Sequence, residues 1–127
     1  MLKYNDPVSF IATKNSSTAR NFYEGTLGLK FVSDEPFALV FDLNGHWLRV
    51  AKVEDFEPAK HTVLGWNVLD ITDTVKALVA QGVVFEKYEG MVQDDYGIWD
   101  APSGAKVAWF KDPDGNSLSL TQLGATR

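Results

Sequence analysis

The chain has 127 residues, 45% of them apolar and 23% charged, which suffices for one domain with a real core and is too little for two. With no cysteine, it has no disulfides, thiolate nucleophiles or cysteine zinc sites, and a reducing cytoplasm is the expected compartment. A net charge of −5 without any Lys/Arg cluster excludes nucleic acid as a partner, and the short apolar runs exclude a membrane span. No signal peptide is expected either, because Met1 to Asp6 lacks an apolar stretch.

In chain order, Val8 to Thr13 reads as the first strand. A helix follows, capped by Asn15, Ser16 or Ser17 and ended by Gly28, with Ala19, Phe22, Tyr23 and Leu27 on one face. Three strand-like stretches come next: Lys30 to Ser33, Phe37 to Asp42 and Trp47 to Val53. Glu54 to Lys60 is a short polar connector. The pattern then repeats. A strand over Thr62 to Leu69 leads to a helix striped by Ile71, Val75, Leu78 and Val79, with Thr72 or Asp73 as the cap and Gly82 as the stop. Val84 to Tyr88 reads as a short or irregular strand, followed by a segment around Gly97 to Asp100, then Ala105 to Lys111 and Ser117 to Leu123.

Phe41 to Val50 aligns with Lys111 to Leu120 at a shift of 70 (112 − 42): each has an Asp, a polar residue before Gly, then an alternating strand. In "DPDG", residues 112–115, Pro suits the second position of a tight turn and Gly tolerates a positive φ at the fourth. Each half thus reads βαβββ. The fold class is α+β, one domain over residues 1–127, with modules at about 6–53 and 61–123.

The doubled βαβββ, with "FYEGTLGLKF" after the first strand and "KDPDGNSLSL" near the end, resembles the vicinal oxygen chelate superfamily. That group includes glyoxalase I, extradiol dioxygenases and bleomycin-resistance proteins. The resemblance covers about residues 6 to 123 and implies a curved mixed-sheet cup that holds the ligand. It also implies a homodimer, and in the enzymes of the group a divalent metal. The metal-ligand positions of that family fall here on Val8, Arg49, Val63 and Ser119. A valine has no lone pair and a guanidinium repels a cation, so no metal and no other cofactor is expected at these positions. His61 and His46, with an Asp or Glu, form the alternative of an offset metal site.

If Val8 and Ser119 face the cup, strand parity adds Phe10, Ala12, Gly65, Asn67, Trp47, Ala51, Ser117 and Thr121 to the lining. The ligand-binding candidates are Phe10, Trp47, Arg49, His61, Asn67, Tyr96, Trp99, Ser117 and Ser119. Arg49 either meets a ligand's carboxylate or phosphate, pairs with an acid such as Asp42 or Glu54, or is exposed. Glu89 to Gly97 reads as a loop, either a lid or a plain surface connection, and Tyr96 and Trp99 as stacking or packing aromatics.

The expected function is metal-free binding of a small organic molecule, anionic or aromatic, in the manner of bleomycin-resistance proteins; Arg49 argues against the cationic bleomycin itself. The alternative is an enzyme of the superfamily (a lyase, isomerase or dioxygenase) with a divalent metal at the offset site. A third reading is an interaction module without a closed pocket. No catalytic residue is assigned, and the residues leave open whether any reaction is catalysed.

Overall fold

A computed structural model of the chain describes residues 1–123. It divides into two compact units, Met1–Pro58 and the segment from Ala59 on. Both have the same plan: a four-stranded mixed sheet and one helical segment, the α+β arrangement of two βαβββ modules.

In the first unit the strands are β1 (Val8–Thr13), β2 (Lys30–Asp34), β3 (Ala38–Leu43) and β4 (His46–Lys52), in the order β1-β4-β3-β2. β1 runs parallel to β4, and the other pairs are antiparallel. The helix starts at Ser16 because the Asn15 side chain accepts from the Thr18 N–H at 3.1 Å. It runs as α1 (Ser16–Arg20) and then widens into a π-helical turn over Asn21–Thr26, in which Leu27 N–H reaches back to Phe22 O at 2.9 Å. Gly28, at φ 72, turns the chain so that Leu29 N–H closes on Tyr23 O. Ala19 and Tyr23 are buried, with Tyr23 and Phe31 both packed on Phe41. Leu39, Leu48 and Val50 complete this core on the helix side of the sheet.

In the second unit β5 (Thr62–Asn67), β6 (Trp99–Asp100), β7 (Lys106–Lys111) and β8 (Ser117–Gln122) take the order β5-β8-β7-β6, again with one parallel pair, β5 with β8. α2 (Ile71–Ala80) is capped by Asp70, whose carboxylate accepts from Asp73 N–H, and not by Thr72 or Asp73. The helix starts two or three residues earlier than expected because Asp70 is still extended (φ −135) and its backbone C=O accepts the first helical bond, from Thr74. Gly82, at φ 94, closes it, with Val83 N–H on Leu78 O. Ile71 and Val75 are buried together with Ala108, Phe110, Leu118 and Leu120. Val84 to Tyr88 forms no strand: only Phe85 bridges to Phe110, with their rings 5.2 Å apart.

In both echoing turns the Asp side chain accepts hydrogen bonds from the turn, though from different donors. Asp42 accepts from Gly45 N–H at 2.7 Å. The buried Asp112 accepts from Asp114 N–H and Asn116 N–H at 2.9 Å through one oxygen and from Asn116 Nδ2 at 2.8 Å through the other. Each turn fixes the register of the hairpin that follows, and so fixes which side chains face away from the helix.

Candidate functional site

The helix-free face of the first sheet carries a cleft of about 340 Å³, lined by Val8, Val32, Ser33, Glu35, Val40, Trp47 and Arg49. Register explains the grouping. Val8 pairs with Trp47, Phe10 with Arg49 and Val40 with Arg49, so their side chains share one face. β2 contributes two consecutive residues because its pairing shifts between Phe31 and Ser33: Phe31 opposes Phe41, and Ser33 already opposes Val40. Val32 is the extra residue of this bulge, and both Val32 and Ser33 reach the cleft.

Arg49 Nη2 donates to Glu35 Oε1 at 3.1 Å, and the Ser33 hydroxyl donates to Glu35 Oε2 at 3.0 Å. The partner of Arg49 is therefore Glu35, not Asp42 or Glu54. Asp42 is opposite Trp47, two pairs further along, and its carboxylate caps the turn at Gly45. The Arg49 and Glu35 side chains remain 34% and 44% exposed, so water and solutes reach the pair. One polar end and a wall of three valines and a tryptophan give the cleft the make-up of a small-molecule site; such sites span roughly 300–1,000 Å³. Phe10 stands beside Arg49 across the strand pair and is 64% exposed.

The helix-free face of the second sheet is different. Ser119 lies between Gly65 on β5 and Trp109 on β7. Trp109 is the middle ring of a row, 5.6 Å from Tyr88 and 6.0 Å from Trp99. Burial, and secondly the Glu86 carboxylate, push the Tyr88 phenol above its ordinary pKa. Ser117 and Ser119 are only 5% and 7% exposed, and neither hydroxyl has a protein partner among the described residues. No side-chain polar atom is sealed off without a partner there, so both hydroxyls keep contact with solvent. Ser119 fits only because position 65 has no side chain: a Cβ there would stand 2.8 Å from Ser119 Oγ and 3.2 Å from its carbonyl oxygen.

Of the sequence candidates, Phe10, Trp47 and Arg49 therefore share one face of the first unit. Asn67, Trp99, Ser117 and Ser119 share one face of the second, with Asn67 exposed at the end of β5. Tyr96 does not join them: its ring lies 5.4 Å from the Lys76 ammonium on α2. The chain turns at Asp94, whose carboxylate accepts from Tyr96 N–H and Ile98 N–H. His61 is exposed just before β5. The loop of residues 89–97 is tied internally, with the Gln93 amide donating to Glu86 O and Gly97 O and accepting from Tyr88 N–H.

The four positions that the resemblance marks for metal ligands do not fit a metal here. Val8 and Arg49 share the first cleft and offer no lone pair and a fixed positive charge; Val63 and Ser119 offer one hydroxyl. His46 shares the side of the buried Leu48 and Val50 and is hydrogen-bonded to Ser9 Oγ at 2.8 Å, so it faces away from Arg49. Among the described residues no group of three or more His, Asp or Glu side chains could hold a metal ion.

Glu35, Ser33, Val32, Val40, Trp109 and Tyr88 were not among the sequence candidates. Two of them were within reach. A turn centred on Asn44-Gly45 puts Val40 opposite Arg49, and the "DPDGN" turn puts Trp109 opposite Ser119. Glu35 and Ser33 depend on the bulge, which no residue pattern signals.

The family model of the Glyoxalase/Bleomycin resistance protein/Dioxygenase superfamily matches residues 6–120. The chain belongs to that superfamily. Solved structures with the same fold include a glyoxalase family protein from Enterococcus faecalis (22% identity, 96% of this chain and 100% of that one, TM-score 0.73). Another is a superfamily member from Sphaerobacter thermophilus (23% identity, 96% and 99%, TM-score 0.74). A third is a glyoxalase/bleomycin resistance protein/dioxygenase from Alicyclobacillus acidocaldarius (17% identity, 94% and 92%, TM-score 0.72). At these identities the likeness shows the fold alone. Among curated proteins none matches the chain.

Proposed function

We propose that this chain is a metal-independent member of the superfamily that binds a small organic molecule, its apolar or aromatic body in the cleft of the first unit and its anionic group at Arg49. The observation that carries the reading is the cleft itself: valine and tryptophan walls beside the Arg49 guanidinium and its partner Glu35, with Val8 and Arg49 at two of the positions that the resemblance marks for metal ligands. Arg49 donates one N–H to Glu35, which leaves the rest of its donor fork for a ligand. Among the described residues the hydroxyls of Ser117 and Ser119, on the face of the second sheet that carries Trp109, have no protein partner, and a molecule bound at that face would satisfy them.

The test is binding of 3-phenylpropanoate to protein kept in EDTA, followed through the Trp47 indole N–H signal in NMR. A shift of that signal, lost in Arg49→Met, is the expected result. Metal analysis of protein purified without chelator should give far less than one divalent ion per chain. About one ion per chain, lost on His61→Ala, would favour the enzyme reading instead.

A homodimer is part of the same proposal. Phe10 and Phe37 are 64% and 81% exposed, apolar surface that a partner chain would cover. Light scattering on the purified protein should give twice the chain mass.

A further inference from the structure

We propose that the cleft of the first unit selects a dipolar ligand, an apolar body bearing an anionic and a cationic group close together, for which an amino acid with a large apolar side chain is the simplest model. The inference rests on the reading of this cleft as the ligand site and adds a second charge requirement to it.

Of the seven residues that line the cleft, Glu35 and Arg49 alone are charged. They lie side by side, with Arg49 Nη2 3.1 Å from Glu35 Oε1. Both carboxylate oxygens of Glu35 are engaged, Oε1 by Arg49 and Oε2 by Ser33. Ser33 is fixed opposite Val40 by the strand pairing. A simple anion that reaches Arg49 therefore comes to lie beside the Glu35 carboxylate, and must share the guanidinium with it. A simple cation meets the mirror problem. A dipolar group meets neither: its anionic end takes the free edge of Arg49 while its cationic end faces the Glu35 carboxylate, and four alternating charges result. Because the pair is 34% and 44% exposed, its mutual contact is weak in water, and exchange for ligand contacts loses little. The apolar side chain of such a ligand meets Val8, Val32, Val40 and Trp47.

Three probes that differ only in charge test this: L-phenylalanine, 3-phenylpropanoate, which lacks the ammonium, and 2-phenylethylamine, which lacks the carboxylate. Calorimetry and the Trp47 indole signal are read at neutral pH in EDTA. L-Phenylalanine is expected to bind about tenfold more tightly than either of the others, the gain from one added charge-assisted contact. In Glu35→Gln the advantage over 3-phenylpropanoate should vanish, with 3-phenylpropanoate itself bound no more weakly than before. In Arg49→Gln the advantage over 2-phenylethylamine should vanish. Melting curves establish that both variants are folded, and the three-probe comparison on the unaltered protein does not depend on them. If 3-phenylpropanoate shifts Trp47 and binds as tightly as L-phenylalanine, the dipolar requirement is wrong while the anion site stands. If none of the three shifts Trp47, the cleft is not the ligand site and both readings fall.

Discussion

Gly65 and Ser119 show how much one side chain can depend on a missing one. A methyl group at position 65 would lie 2.8 Å from Ser119 Oγ and 3.2 Å from Ser119 O. The hydroxyl can rotate away, but the carbonyl belongs to the β5–β8 pairing and cannot. Gly65→Ala should therefore destabilise the protein by about 1–3 kcal/mol, the usual range for overpacking. In urea denaturation the double variant Gly65→Ala/Ser119→Ala should recover only part of that loss, since only the Oγ clash is removed. Tyr88 gives a prediction in pH. Its phenol titrates above its ordinary value of 10.0, first because of burial and then because of Glu86. A raised folded pKa means that its contribution is complete below the ordinary value and is lost as pH rises through the raised one. Tyr88→Phe should remove one late tyrosinate step from an alkaline absorbance titration and flatten the fall in stability at that end.

At the scale of elements, the caps and turns carry the pattern. Asp70→Ala removes the acceptor for Asp73 N–H and should cost about 1 kcal/mol in urea unfolding. Asp112→Ala is more severe, about 2 kcal/mol or more, because three donors around a buried turn lose their acceptor at once. These two residues also mark what the sequence made legible. The sequence reading, from alternation and the Asn-Gly and Asp-Gly turns, placed all eight strands to within two residues of their ends, because a half-buried strand writes its two faces into its residues. Helix entry was misplaced in the second module, since Asp70, Thr72 and Asp73 are all competent caps and only backbone geometry chooses among them. The stretch from Val84 to Tyr88 kept apolar residues without becoming a strand, because Phe85 is held by Phe110 rather than by a ladder.

For the molecule as a whole, the doubled plan was readable because the two modules repeat the same turn at a constant shift, and each unit contains the same strand order. The site was less so. Parity found the faces that carry Phe10, Trp47, Arg49, Ser117 and Ser119, but parity within a strand says nothing about which loop residue swings beside it. Glu35 came from such a loop, and Tyr96 left for α2 through another. The repeats have also diverged in chemistry: Arg49 and Ser119 occupy matching strand positions, and one is charged and half open while the other is neutral and almost covered. A protein of this kind should bind its guest equally well with and without chelator, and a dialysis comparison of affinity in EDTA and in added zinc, nickel or manganese checks this directly.

The supernumerary Val32 in β2 sits between two pairings, Phe31 with Phe41 and Ser33 with Val40, that would both survive without it. Loss of that one codon would therefore restore plain alternation to the strand while it strips a wall from the cleft. The cleft's shape and the fold's integrity are thus separately adjustable here, and a lineage could retune what it holds at this point without renegotiating how it folds.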